Sequence, residues 1–328
     1  MAAFPDPHVI VTPRPRRVLL LSIAMLASGA IGLATHRKRA RALWHSLTGV
    51  PVATLAVVLL LVLCQFVFQA LRLWAILPRD VMLPLGRTAH AFALGEWLNI
   101  FTPARGGDAL KVVLLSRAAG GAPPSLPQAA GVVLADKLVD GGSLALLCVA
   151  AGLFGLAWLG PPAQLSGPRV LIAGSAAAAA VTLVALGVFR TSPTWRGRVA
   201  RLRRELDGGF AALRDPFKLV ASVSLSLGAW LAELLALRVL CGTLAFAPAP
   251  ARLVLALAVL NLGISVPFSL ANLGVYEATL SLALTQAGVP LAKAVAIATL
   301  HHALQLVGTN VGAAGLSLWA AGRGPRAP

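Results

Sequence analysis

Four charged side chains, Glu96, Arg105, Asp108 and Lys111, fall inside the segment GEWLNIFTPARGGDALKVVLLSR of a chain that is 58% hydrophobic and only 12% charged. A charge in a bilayer core costs about 2.5–3.5 kcal/mol on insertion scales, so charges there mark a site. Pro103 and the Gly106–Gly107 pair interrupt the same segment. Broken backbone at membrane depth survives only where protein buries it or a water-filled cavity faces it. The residue types suit an anion. Asp108 is placed to cap a helix beginning at Ala109, Lys111 then falls on its first turn, and Arg105 sits just ahead. Free helix N–H groups, the positive dipole end, an Arg fork and a Lys point charge together hold an anion. Gly106 and Gly107 would let backbone approach that ligand closely. Deep in a membrane the expected anion is a lipid phosphate. Asn99, one turn before Pro103, either satisfies backbone groups that the proline frees or touches the headgroup. The competing reading is that Arg105 and Lys111 snorkel to inner-leaflet headgroups and form no site.

Other polar residues stand in apolar surroundings. Asp136 and Asp140 share a helix face in VLADKLVDGGSL, with Lys137 between them. They are expected to pair with Arg105 or Lys111 across helices, or else to lie hydrated at the cytoplasmic interface. Glu277 opens the segment after a second break, ISVPFSLANLGVYE, in which Pro267 and Gly274 repeat the pattern of the first and Asn272 or Gly274 is a cap candidate. Tyr276, the one tyrosine, is read as an interface marker. His301 and His302 point about 100° apart on a helix and cannot share a metal by the i, i+4 geometry. His301 is a candidate proton carrier, with hydrogen bonding between helices as the alternative. Glu233 and Arg238, five residues apart, make no helical pair.

These residues need a membrane fold to position them. The 328 residues have a mean hydropathy of +0.83, which excludes a soluble enzyme. The expected fold is all-α: a single integral membrane domain over 1–328, with about six to eight spans and two re-entrant or broken helix pairs. Spans are expected near 18–34, 50–71, 129–158, 170–189, 219–240 and 292–319. The broken pairs are 88–101 with 109–117, within 88–117, and 253–266 with 275–288. Paired interrupted segments in corresponding halves point to a transporter's midplane site and to an inverted repeat. The basic start resembles a signal peptide but lacks an Ala-x-Ala site, so it reads as a retained span. The loop 190–218 is strongly basic and expected in the cytoplasm, like the N-terminus.

The net charge of +17 sits at span ends and in that loop, without aromatic interleaving. It fits orientation and anionic lipid rather than nucleic acid. Cys64, Cys148 and Cys241 lie in apolar segments without metal-ligand spacing. No cofactor, metal or catalytic motif occurs.

Four blocks carry a resemblance: Arg72-x-Trp74; Asn99 to Pro103-x-Arg105-x-Gly107-Asp108 and Lys111; Asp136-Lys137-x-x-Asp140; and Ser265-Val266-Pro267 to Gly274-Val275-x-Glu277. With them the chain resembles the transmembrane region of the lysylphosphatidylglycerol synthetase/flippase family along essentially its whole length. Against the family pattern, Asp108 replaces a usual Glu, Lys111 a usual Arg, and Asp136-Lys137 a usual Glu-Arg pair. His301-His302 falls where relatives often carry an Arg. The resemblance implies lipid translocation in the bacterial inner membrane, with hopanoid or glycolipid pathways as candidates. Synthetase members use a soluble C-terminal domain that this chain lacks, so aminoacylation is not expected. The rival functions are a lipid-modifying transferase and an anchor for lipid-biosynthesis enzymes.

Overall fold

The computed structural model describes residues 49–81, 83–102, 106–118, 122–158, 207–265 and 270–322. The sequence-expected spans 18–34 and 170–189, most of the loop 190–218, and Pro103, Arg105 and Pro267 lie outside these residues. The described helices belong to the unit Pro51–Pro328. They are α1 (Val52–Ala75), α2 (Leu85–Phe101), α3 (Gly106–Ser116), α4 (Leu126–Trp158), α5 (Pro216–Thr243), α6 (Pro250–Ile264), α7 (Val275–Gln286) and α8 (Leu291–Gly322). Among the described residues there is no strand, as an all-α membrane bundle requires.

Local sequence sets the boundaries. Asp215 caps α5 by accepting from Phe217 N–H at 3.1 Å, with Pro216 at the first helical position. Pro250 likewise opens α6. Gly288, at φ 96°, turns the chain between α7 and α8. α1, α5 and Leu291–Trp319 are long and apolar enough to cross a membrane. The paired helices are not: α3 has 11 residues and α7 has 12. They rise about 16 and about 18 Å at 1.5 Å per residue, against a hydrocarbon core of about 30 Å. Each pair, α2–α3 and α6–α7, packs as a helical hairpin with one arm too short to cross a bilayer. Leucines and valines cover the outer faces: Leu60, Leu138, Val220, Leu282 and Leu318 are exposed where lipid would lie.

The packing repeats. α1 packs on α5. α2 packs on α8 as α6 packs on α4, α3 on α4 as α7 on α8, and α1 on α8 as α5 on α4. Exchanging the first four helices with the last four returns the same set of helix pairs. The two central helices run antiparallel. Thr54 meets Thr243, Gln65 meets Glu233, Arg72 meets Ser226, and Leu77 O accepts from Lys218. Equivalent helices that swap as a set about an antiparallel central pair have the arrangement of an inverted repeat. The second hairpin's turn, Leu270–Asn272, packs against α2 of the first, so the two hairpins approach from opposite sides and meet.

Buried apolar residues of α1 and of α5 to α8 form the seam core, including Val58, Leu237, Leu253, Leu257, Leu280 and Ile297. Small residues allow close approach there. A Cβ on Gly312 would stand 2.7 Å from the Phe66 ring, and one on Gly308 would overlap Val62.

Candidate functional site

The first hairpin and α4 build a cluster of four charges. α3 begins at Gly106, three residues earlier than the sequence suggests, so Asp108 is its third residue rather than its cap. The acid still lies in the positive first turn. Lys111 follows one turn on, and its ammonium contacts Asp108 Oδ1 at 2.9 Å and Glu96 Oε1 of α2. Lys137 of α4 lies 3.4 Å from Asp108 Oδ1 and 3.8 Å from Glu96 Oε1. Two carboxylates thus face two ammonium groups. Lys111 is wholly buried, with its Nζ 5.1 Å from the Phe92 ring centroid, whereas Glu96, Asp108 and Lys137 remain 21–28% exposed. Lys137, expected as a charge-balancing residue, is the cation that faces outward.

The glycines serve the hairpin. A Cβ on Gly107 would overlap Gly95 O and stand 2.6 Å from Asn99 Oδ1; a Cβ on Gly95 would lie 2.9 Å from Gly107 O. Gly107 therefore lets α3 lie against α2, where the sequence suggested approach to a ligand. Gly106 is less confined: its Cβ would meet Thr102 Oγ1 at 3.1 Å. Asn99 reaches Asp108 and Glu96 at 3.4 and 3.5 Å, and its Oδ1 is buried without a partner among the described residues. Arg105 and Pro103 fall outside the described residues.

Among the described residues, Asp136 and Asp140 make no ion bridge to Lys111; they hold Arg72 of α1. Arg72 Nε donates to Asp136 Oδ1 at 2.7 Å, and its Nη1 contacts Asp140 and donates to Ser226 Oγ at 2.9 Å. The reason lies in the helix face: four residues apart, both acids face α1 and α5, while Lys137 turns toward the hairpin. Arg72 is 2% exposed. Its fork ties α1, α4 and α5 together, and Trp230 Nε1 adds a bond to Asp140 O at 3.1 Å.

The second hairpin carries a simpler pair. Glu277, third residue of α7 as Asp108 is third in α3, accepts from Gly274 N–H at 2.7 Å and meets His302 Nδ1 at 2.7 Å. This acid-to-backbone bond closes the helix start, and Gly274 supplies the required φ of 82°. His302 is the twelfth residue of α8, as Lys137 is the twelfth of α4. His301, the sequence-expected carrier, meets Tyr276 Oη through Nδ1 at 2.8 Å, and its Nε2 is buried without a partner among the described residues. Tyr276 is buried and stacks on His302 at 4.1 Å between ring centroids; it is not an interface residue. Among the described residues no group of His, Cys, Asp and Glu is arranged to hold a metal.

Sequence reasoning missed a fourth group at the α1–α5 seam. Gln305 Nε2 donates to Gln65 Oε1 at 3.1 Å, and Gln65 Nε2 donates to buried Glu233 Oε2 at 2.9 Å. The available signal was a single acid amid the apolar residues of 219–240.

Three helices long and apolar enough to cross a membrane, with two shorter hairpins packed among them, define a multi-pass membrane protein. The chain belongs to the lysylphosphatidylglycerol synthase transmembrane-region family, whose model matches residues 18–312. Neither a curated protein nor a solved structure matches it.

Proposed function

We propose that the protein moves a lipid between the leaflets of the bacterial inner membrane, with the headgroup carried past the four-charge cluster of the first hairpin. The observation that supports this reading most is the duplicated acid–base pair: Asp108 with Lys137 on one hairpin and Glu277 with His302 on the other. Each sits where a short helix starts at a break, and the two hairpins enter from opposite sides. A headgroup phosphate would exchange into the first cluster by replacing a carboxylate beside Lys137, with Arg105 at the adjoining break. The exchange conserves charge, one anion replacing another beside Lys137, the most exposed member of the cluster. Lys111 stays paired to Glu96 and Asp108 and keeps the pocket's shape.

The side bearing Arg79, Arg87, Arg117, Arg214 and Lys218 faces the cytoplasm in this reading, by the positive-inside rule. The opposite side carries Arg252 and Lys293 at the second hairpin. The substrate class is a phospholipid, or a glycolipid or hopanoid-type lipid. Enzymes of lipid biosynthesis are the expected partners of the cytoplasmic loop 190–218.

The test is translocation in proteoliposomes, using fluorescent phosphatidylglycerol, phosphatidylethanolamine and a neutral glycolipid, with reductant quenching to count outer-leaflet probe. Protein-dependent exchange of at least one probe, slowed by Lys137→Gln, is expected. Absence of exchange for all three overturns the reading.

A further inference from the structure

Glu233 differs in its partners from the other acids of the bundle. Asp136 and Asp140 face Arg72, Glu96 and Asp108 face Lys111, and Glu277 faces His302. Glu233, 7% exposed, has an amide as its hydrogen-bond donor and no cation within ion-pair distance among the described residues. A buried ionised carboxylate without a counter-charge is strongly disfavoured against its protonated form.

Its position adds meaning. Gln65 and Glu233 face each other midway along the antiparallel α1–α5 pair, between the Thr54–Thr243 contact at one end and Leu77–Lys218 at the other. At the point where the two halves meet, one half presents Glu and the other Gln. Gln has nearly the shape of protonated Glu and cannot ionise. Among the described residues, the groups facing Glu233 supply no positive charge. Asp140 on α4 is acidic and already holds Arg72. Tyr276 on α7 is bonded to His301 of α8. Gln305 of α8 binds Gln65. On its own helix, Arg238 donates to Pro248 O, and Arg252 of α6 donates to Ala287 O.

We propose that Glu233 is a proton-binding site at the two-fold seam, and that its uptake and release of a proton couple lipid movement to the transmembrane proton gradient. The chemistry is one equilibrium: the carboxylate takes a proton from one side to become the neutral acid and returns it to the other side, with no bond beyond O–H made or broken. Coupling rests on the lipid-translocation reading; proton binding does not.

Two measurements on the full-length protein separate these. Infrared difference spectra between acidic and alkaline pH, taken in lipid nanodiscs, are expected to show a protonated-carboxyl carbonyl band that disappears in Glu233→Gln. In proteoliposomes, an imposed pH gradient is expected to change the wild-type lipid rate several-fold, and Glu233→Gln is expected to keep a gradient-free rate while the gradient response is lost. A band that survives the substitution, or a Glu233→Gln protein that still responds to the gradient, overturns the proposal. If the wild type moves no lipid yet its band depends on Glu233, translocation fails and the proton site stands.

Discussion

The two hairpins share a backbone plan and differ in the chemistry placed on it. In the first, Asp108 and Glu96 meet two ammonium groups, and Arg72 meets two aspartates on the neighbouring helix. In the second, Glu277 meets an imidazole, and the residue preceding it on α8 meets a phenol. The first half therefore pairs its acids with two ammonium groups and a guanidinium, and the second pairs its acid with an imidazole, a smaller and more weakly basic partner. An inverted repeat with unlike halves has an inbuilt direction, which a symmetrical one lacks.

The largest expected contrast comes from the buried cation. Arg72→Leu leaves Asp136 and Asp140 without a counter-charge, and removing one partner of a buried pair costs about 3–5 kcal/mol. His301→Leu, in the second half, removes one hydrogen bond to Tyr276 and should cost about 1–2 kcal/mol. Thermal unfolding of the purified proteins in one detergent checks this, and a smaller loss for Arg72→Leu than for His301→Leu would break the contrast.

The next contrast lies at the crossings within the hairpins. In Gly107→Ala the new methyl meets backbone, Gly95 O, which cannot move aside. Overpacking of that kind costs about 1–3 kcal/mol. In Gly263→Ala it meets only side-chain atoms, both γ atoms of Thr279 at 2.6 Å and its Cβ at 3.1 Å; rotation clears one γ position, so a loss of about 1 kcal/mol, smaller than for Gly107→Ala, is expected. The same unfolding measurement applies.

The fold was largely legible because its signals are local. Pro103 with Gly106–Gly107, and Pro267 with Gly274, interrupt apolar runs too short to cross, and helices α2, α3, α6 and α7 follow within a few residues. The partners of charges were not legible. Asp136 and Asp140 reach Arg72 on another helix, a contact fixed by how α1, α4 and α5 pack. Periodicity placed both acids on one face but could not say which helix lies opposite. Glu233 went unassigned for the same reason: its partner Gln65 is 168 residues away. Gly107 was read as facing a ligand because sequence shows that space is needed, not what fills it.

The outward-facing bases give a functional contrast. Lys137→Gln removes the exposed cation of the first cluster and is expected to slow translocation of an anionic probe about tenfold, equivalent to one charge-assisted hydrogen bond of about 1.5 kcal/mol. His302→Gln should slow it less, since Gln retains a polar contact to Glu277. Exchanging the seam residues sharpens the comparison. Gln65→Glu combined with Glu233→Gln moves the carboxyl to the facing position, and the pH-gradient response lost in Glu233→Gln alone is expected to return.

The smallest effect tests whether the two acids do the same structural work. Glu277 closes its helix by accepting from Gly274 N–H, a role in which Gln substitutes well. Its second partner, His302, can bond to an amide as well as to a carboxylate. Glu277→Gln should therefore change stability by no more than about 0.5 kcal/mol. Asp108 has no such role: its Oδ1 holds buried Lys111 and contacts Lys137. Asp108→Asn leaves Lys111 with Glu96 alone and should cost more, about 1–3 kcal/mol for a weakened bond to a buried charge. Equal losses for the two variants would mean that the third residue of each short helix acts through the helix start alone, and that the charge cluster of the first hairpin contributes nothing to holding it in place.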